Sequence, residues 1–87
     1  MQQGQWADLG MFMQTIMLLA RERGLHTCPQ EAWARWHHVV RPYLEIPPHE
    51  MFFCGMGIGY ADEEALANTF YSDRAPLEEI ATFRDWA

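Results

Sequence analysis

The stretch Met51-Phe52-Phe53-Cys54-Gly55-Met56-Gly57-Ile58-Gly59-Tyr60 decides the fold class of this chain. It carries no charge and is bounded by Pro47-Pro48 upstream and Asp62 downstream. It lacks the polar alternation of a half-exposed strand, so it reads as a strand buried on both faces. Upstream, Leu9, Phe12, Met13, Ile16, Met17 and Ala20 recur at helical spacing and predict a helix from Trp6 to Arg23, stopped by Gly24. Met11, Leu18 and Leu19 widen its apolar face beyond one stripe, and such a helix buries more than one side. Thr27 or Cys28 is the expected cap of a second helix, with Pro29 in its first turn, Glu31 near the dipole and Ala32 to Val40 helical. Pro42 blocks a straight continuation, leaving room for a short turn through Tyr43 and Leu44. Asp62 is placed to cap a turn through Glu63, Glu64 and Leu66, and Asn68 to Pro76 reads as irregular. The tail, Leu77 to Trp86, fits a helix through Leu77, Ile80 and Phe83 and equally a short strand over 80–83.

Helix, helix, strand and extended tail define an α+β class, mostly helical, in one partial domain over residues 1–87. One strand cannot make a sheet, so the chain reads as part of an architecture. Composition agrees. Hydrophobic residues make up 49% of the 87 and aromatics 14%, too apolar for a disordered segment and too much for so short a chain to cover alone. The net charge is −6, and the six bases are all Arg with no basic stripe, which argues against nucleic acid and anionic membrane as partners. Met11 to Ala20 is far short of the ~20 apolar residues of a membrane span. No signal peptide is visible, and two Cys are too few for a disulfide scaffold, so the expected location is cytoplasmic.

Few residues offer catalytic chemistry. Ser72 is the one Ser and has no nucleophile elbow around it. Cys28 at a helix start is a conceivable thiolate, though it reads more simply as a cap-region residue. His26, His37, His38, His49, Cys28 and Cys54 match no metal-ligand spacing, so no metal is expected. Gly55, Gly57 and Gly59 share one strand face and permit close approach of a neighbouring element or of a flat ligand. Two features remain. The backbone N–H groups around Pro29-Gln30-Glu31-Ala32 are free to donate to a planar ligand edge or an anion. Arg74 is either a phosphate partner or a solvated loop residue near Asp73 and Glu78.

Four segments in order carry a resemblance. They are Asp8 to Ala20 leading into Gly24-Leu25; Thr27-Cys28-Pro29-Gln30-Glu31-Ala32; Leu44-Glu45-Ile46-Pro47-Pro48 before the strand ending Gly57-Ile58-Gly59-Tyr60; and Asn68 followed by Arg74-Ala75-Pro76-Leu77-Glu78-Glu79 and an aromatic tail. Together they resemble the nitroreductase family of FMN-dependent oxidoreductases. Family members are longer, so the chain is similar to their C-terminal portion, without the segment that holds most of the FMN phosphate and ribityl chain. The resemblance implies a parent protein that passes hydride from NAD(P)H through FMN to a nitroaromatic or quinone-like acceptor. It implies cofactor-binding roles for Pro29, Gln30, Glu31 and Ala32, whose backbone would meet the flavin near N5 and O4, and for Arg74 at the phosphate. The basic residue often found two positions before that arginine is Ser72 here. No catalytic acid or base is implied, because hydride moves directly at the flavin. The resemblance also implies a homodimer built on the helix Trp6 to Arg23 and the crossing tail. The competing expectation is a non-catalytic dimerising remnant without cofactor.

Overall fold

The computed structural model describes residues 2–85. Trp86, where the expected tail element ends, lies outside the described residues, as do Met1 and Ala87. Helix α1 spans Gln3–Glu22, strand β1 His26–Gln30, helix α2 His37–Tyr43, strand β2 Gly55–Gly59 and helix α3 Leu77–Ile80. Two 3₁₀ turns, Glu31–Trp36 and Leu66–Thr69, lie between them.

Helix α1 begins three residues earlier than its apolar pattern requires. Gln2 and Gln5 close a reciprocal capping box, with the Gln2 backbone N–H donating to Gln5 Oε1 at 3.0 Å. Its C-terminus is set by Gly24. At φ 77° Gly24 takes the left-handed conformation, and the N–H groups of Gly24 and Leu25 return to the carbonyls of Arg21 and Ala20 at 3.0 and 2.9 Å. That is the Schellman pattern, which satisfies the last carbonyls of the helix. Helix α2 ends identically. Ile46 N–H reaches Arg41 O at 2.9 Å and Glu45 N–H reaches Pro42 O at 3.2 Å, but the left-handed position is occupied by Glu45 at φ 54°. The Arg41 guanidinium then fixes the following loop by donating to Glu50 O at 2.6 Å and Pro47 O at 3.0 Å.

The α+β class stands, with one correction to the element count. Thr27 and Cys28 do not cap a helix. They lie inside β1, which pairs antiparallel with β2 in the register His26↔Gly59 to Gln30↔Gly55. His-Thr-Cys-Pro-Gln has little intrinsic strand preference and contains Pro29, which lacks a ladder donor; pairing with an apolar glycine-alternating partner overrides both. Strand β2 is also shorter than its apolar run, beginning at Gly55 after an irregular lead-in over 51–54. The expected second helix is wound as 3₁₀ from Glu31 to Trp36 and becomes α only at His37. The ambiguous tail divides into the single turn of α3 and a run without regular structure over 81–85, which leaves the turn at an extended Ala81.

Helix α1 leans on the sheet through its Leu9, Met13, Ile16, Met17 and Ala20 stripe, which is half-buried to buried. Trp6 meets Phe53 edge-on at a ring-centroid distance of 5.2 Å, and Cys54 Sγ lies 3.9 Å from Met13 Sδ. The opposite stripe is open, with Met11 and Phe12 exposed by 61% and 63%. Ala20 alone is buried among the described residues.

The two helix ends give an opposed pair of outcomes. Gly24→Ala forces a Cβ into the left-handed region and lowers unfolding free energy by about 1–2 kcal/mol. Glu45→Gly relieves the same strain and raises it by up to about 1 kcal/mol. Urea titrations followed by circular dichroism measure both.

Candidate functional site

The exposed turn where β1 runs into the 3₁₀ segment contains four of the five residues singled out from sequence. Pro29 and Gln30 are the last residues of β1, and Glu31 and Ala32 open the 3₁₀ turn. All four are exposed. Gln30, at the cap position with φ −132° and ψ 87°, makes no side-chain bond to the amides of the turn. Those amides are therefore not capped by a side chain, which leaves donors for something outside the turn. The Gln30 side chain is used differently: its Oε1 accepts from the Trp33 indole Nε1–H at 2.9 Å.

Sequence reasoning missed Trp33. Its indole lies on the first residue of β2, so close that a Cβ built on Gly55 would stand 2.9 Å from Trp33 Cδ1. Of the three alternating glycines, only Gly55 is required by such an approach. A Cβ at Gly57 would sit 3.9 Å from Cys28 O, and one at Gly59 would meet nothing within 4 Å. The signal in the sequence was the spacing of Gln30, Trp33 and Trp36, which align at three residues per turn. An open cleft of about 600 Å³ runs from Gln30 and Trp33 along Val39, Val40, Tyr43 and Leu44 to Phe52 and Gly55.

Arg74 stands apart. It lies in the exposed stretch after Thr69, and its guanidinium turns back on its own segment, donating to the carbonyls of Ser72 and Asp73, each at 3.1 Å, and to Ser72 Oγ. It is absent from the lining of the clefts beside the turn. The structure thus brings together Pro29, Gln30, Glu31 and Ala32, and leaves Arg74 separate.

Cys28 is exposed on β1 and not at a helix start, so the setting that would activate its thiol does not exist. His26 serves as a tie, its Nδ1 accepting the Ala61 N–H at 3.2 Å beyond the end of β2. Among the described residues no three His, Cys, Asp or Glu side chains converge as metal ligands, and no helix is long and apolar enough to cross a membrane. Asn68 closes the loop after β2 by donating from Nδ2 to Asp62 O at 2.6 Å, while Asp62 Oδ1 accepts Glu64 N–H at 3.0 Å, as its capping role requires.

Comparison with known proteins gives this geometry a context. The profile of the Nitroreductase family matches residues 1–60; the chain belongs to that family. It is 42% identical over 78 residues to a 4-nitrobenzoate reductase of Pseudomonas putida, covering 90% of this chain and 34% of that protein. It is 43% identical over 82 residues to a chloronitrobenzene nitroreductase of Comamonas testosteroni, covering 91% and 36%. The crystal structure of the FMN- and NADPH-dependent nitroreductase NfnB from sphigopyxis sp. strain HMH superposes with a TM-score of 0.91 at 42% identity, over 99% of this chain and 39% of that one. The chain therefore spans about a third of the length of the curated relatives it matches. Arg74 lies beyond the residues matched by the family profile but within the reach of the structural superposition.

Since Arg74 bonds only to its own exposed segment, Arg74→Ala changes the unfolding free energy by less than about 0.5 kcal/mol. Denaturant midpoints of the two proteins test this, and a larger loss would mean that Arg74 holds the fold.

Proposed function

We propose that this chain is part of an FMN-dependent oxidoreductase that passes hydride from NAD(P)H to a nitroaromatic or quinone-like acceptor. The observation that carries the reading is the superposition, over 99% of the chain, on an FMN- and NADPH-dependent nitroreductase at 42% identity. The relatives named for 4-nitrobenzoate and chloronitrobenzene reduction support the acceptor class.

The residues present fit one edge of a flavin. The turn Pro29-Gln30-Glu31-Ala32 is exposed, and its amides are not capped by a side chain, as an edge-on approach of a flat, acceptor-rich ring requires. When bound, FMN supplies the hydride chemistry itself. The work of this chain is to hold a backbone donor against the ring edge near N5 and O4, and so bias the ring between its oxidised and reduced forms. Arg74 supplies a fixed positive charge for the phosphate. Its present hydrogen bonds are to neutral groups of Ser72 and Asp73, which a phosphate would displace at little cost. Ser72 adds no charge to that clamp.

The protein is a homodimer in this reading, joined through α1 and the C-terminal tail. The open face of Met11, Phe12, Leu18 and Leu19 supports it, and so do the exposed Phe83 of the tail and Phe70 and Tyr71 before it. Free thiols at Cys28 and Cys54 support a reducing, cytoplasmic location.

The test is to mix the full-length parent protein with excess FMN, and to record the flavin absorption of the peak from a sizing column. The parent is expected to elute yellow as a dimer, and Arg74→Ala to weaken its FMN affinity about tenfold, the loss of one charge-assisted hydrogen bond. A colourless parent would overturn the reading.

A further inference from the structure

The 3₁₀ winding over Glu31–Trp36 runs for six residues, about twice the usual length of such a segment. At three residues per turn, side chains at i and i+3 eclipse. This winding sets Trp33 directly beneath Gln30, where the indole Nε1–H reaches Gln30 Oε1 at 2.9 Å. The same pyrrole edge of the indole rests on Gly55, where a Cβ would stand 2.9 Å from Cδ1 and 3.5 Å from Nε1. Gly55 is in turn the ladder partner of Gln30. One side chain therefore closes a triangle: Gln30 to Trp33 by a hydrogen bond, Trp33 to Gly55 by contact, and Gly55 to Gln30 by strand pairing. The turn Pro29-Gln30-Glu31-Ala32 forms one corner of that triangle.

We propose that Trp33 is a positioning residue, which locks the turn in its 3₁₀ winding and so sets where the backbone donors of Glu31 and Ala32 point. The inference rests on the reading that this turn faces the flavin ring edge. Trp33 need not touch the cofactor; it acts through Gln30 and Gly55. Its consequence is specific. A donor aimed at N5 is accepted by the oxidised ring, whose N5 bears a lone pair, and meets an N–H when the ring is reduced. A turn that drifts out of place thus weakens binding of oxidised FMN more than of reduced FMN. The flavin potential rises as a result.

Two substitutions in the FMN-loaded protein test this from opposite sides. Trp33→Phe keeps a ring on Gly55 and deletes the Nε1–H. Gly55→Ala keeps Trp33 and Gln30 and drives the indole off its seat. In each variant oxidised FMN is expected to bind about tenfold more weakly relative to reduced FMN, which raises the two-electron potential by ~30 mV. Equal weakening of both forms, with the potential unmoved, would overturn the proposal and leave Trp33 a packing residue. Failure of the unsubstituted protein to take up FMN would instead overturn the flavin reading, and this inference with it.

Discussion

The hydrophobic effect is left unfinished by this chain, and the rest of the structure has to be understood through that constraint. Its accessible surface is 8281 Å², about 3000 Å² more than a self-contained protein of its mass exposes, ~5300 Å² by the usual scaling. Its radius of gyration is 17.5 Å, against ~12 Å for a compact domain of this length. With Ala20 as the only buried residue among those described, apolar burial within the chain cannot offset the conformational entropy of ordering it. The missing burial is of the size that obligate interfaces provide, ~2000–5000 Å² in total. Helix α1 shows how it is divided: one stripe lies against Phe53 and Cys54, and the other is open for a second surface.

Within the chain, local order comes from directional bonds that need no core. The pairing of β1 with β2 joins segments separated by the whole of the 3₁₀ turn, α2 and the Arg41-braced loop. The two Schellman ends and the Gln2–Gln5 box stop the helices where their carbonyls and amides can be satisfied. The turn Pro29-Gln30-Glu31-Ala32 inherits its position from this framework. It is exposed, yet anchored on one side by the strand ladder and on the other by Trp33 on Gly55. An exposed element with a fixed backbone is what the proposed flavin-edge role asks of this turn, which would present donors and not perform proton transfer.

Much of this was legible in the sequence, for identifiable reasons. Helix α1 announced itself because apolar spacing and a Gly stop are local signals. The family relationship itself was legible in the order of four segments along the chain, and the family match bears it out. Strand β1 was not legible. Its five residues include Pro29 and no β-branched aliphatic side chain, and its strand character comes from a partner strand distant in sequence, in the register His26↔Gly59 to Gln30↔Gly55. The role of Trp33 was hidden for a similar reason: an indole beside a glycine-alternating strand is visible only once that strand is placed beside the turn. Arg74 kept its two readings because its segment makes only local bonds.

The central claim is that this chain folds only against another surface, and sedimentation combined with far-ultraviolet circular dichroism over a concentration series tests it most directly. The account predicts that helical signal and cooperative unfolding appear only in species of at least twice the chain mass and fade together as dilution favours the monomer. A monomer that stays helical and unfolds cooperatively at the lowest concentration would contradict it.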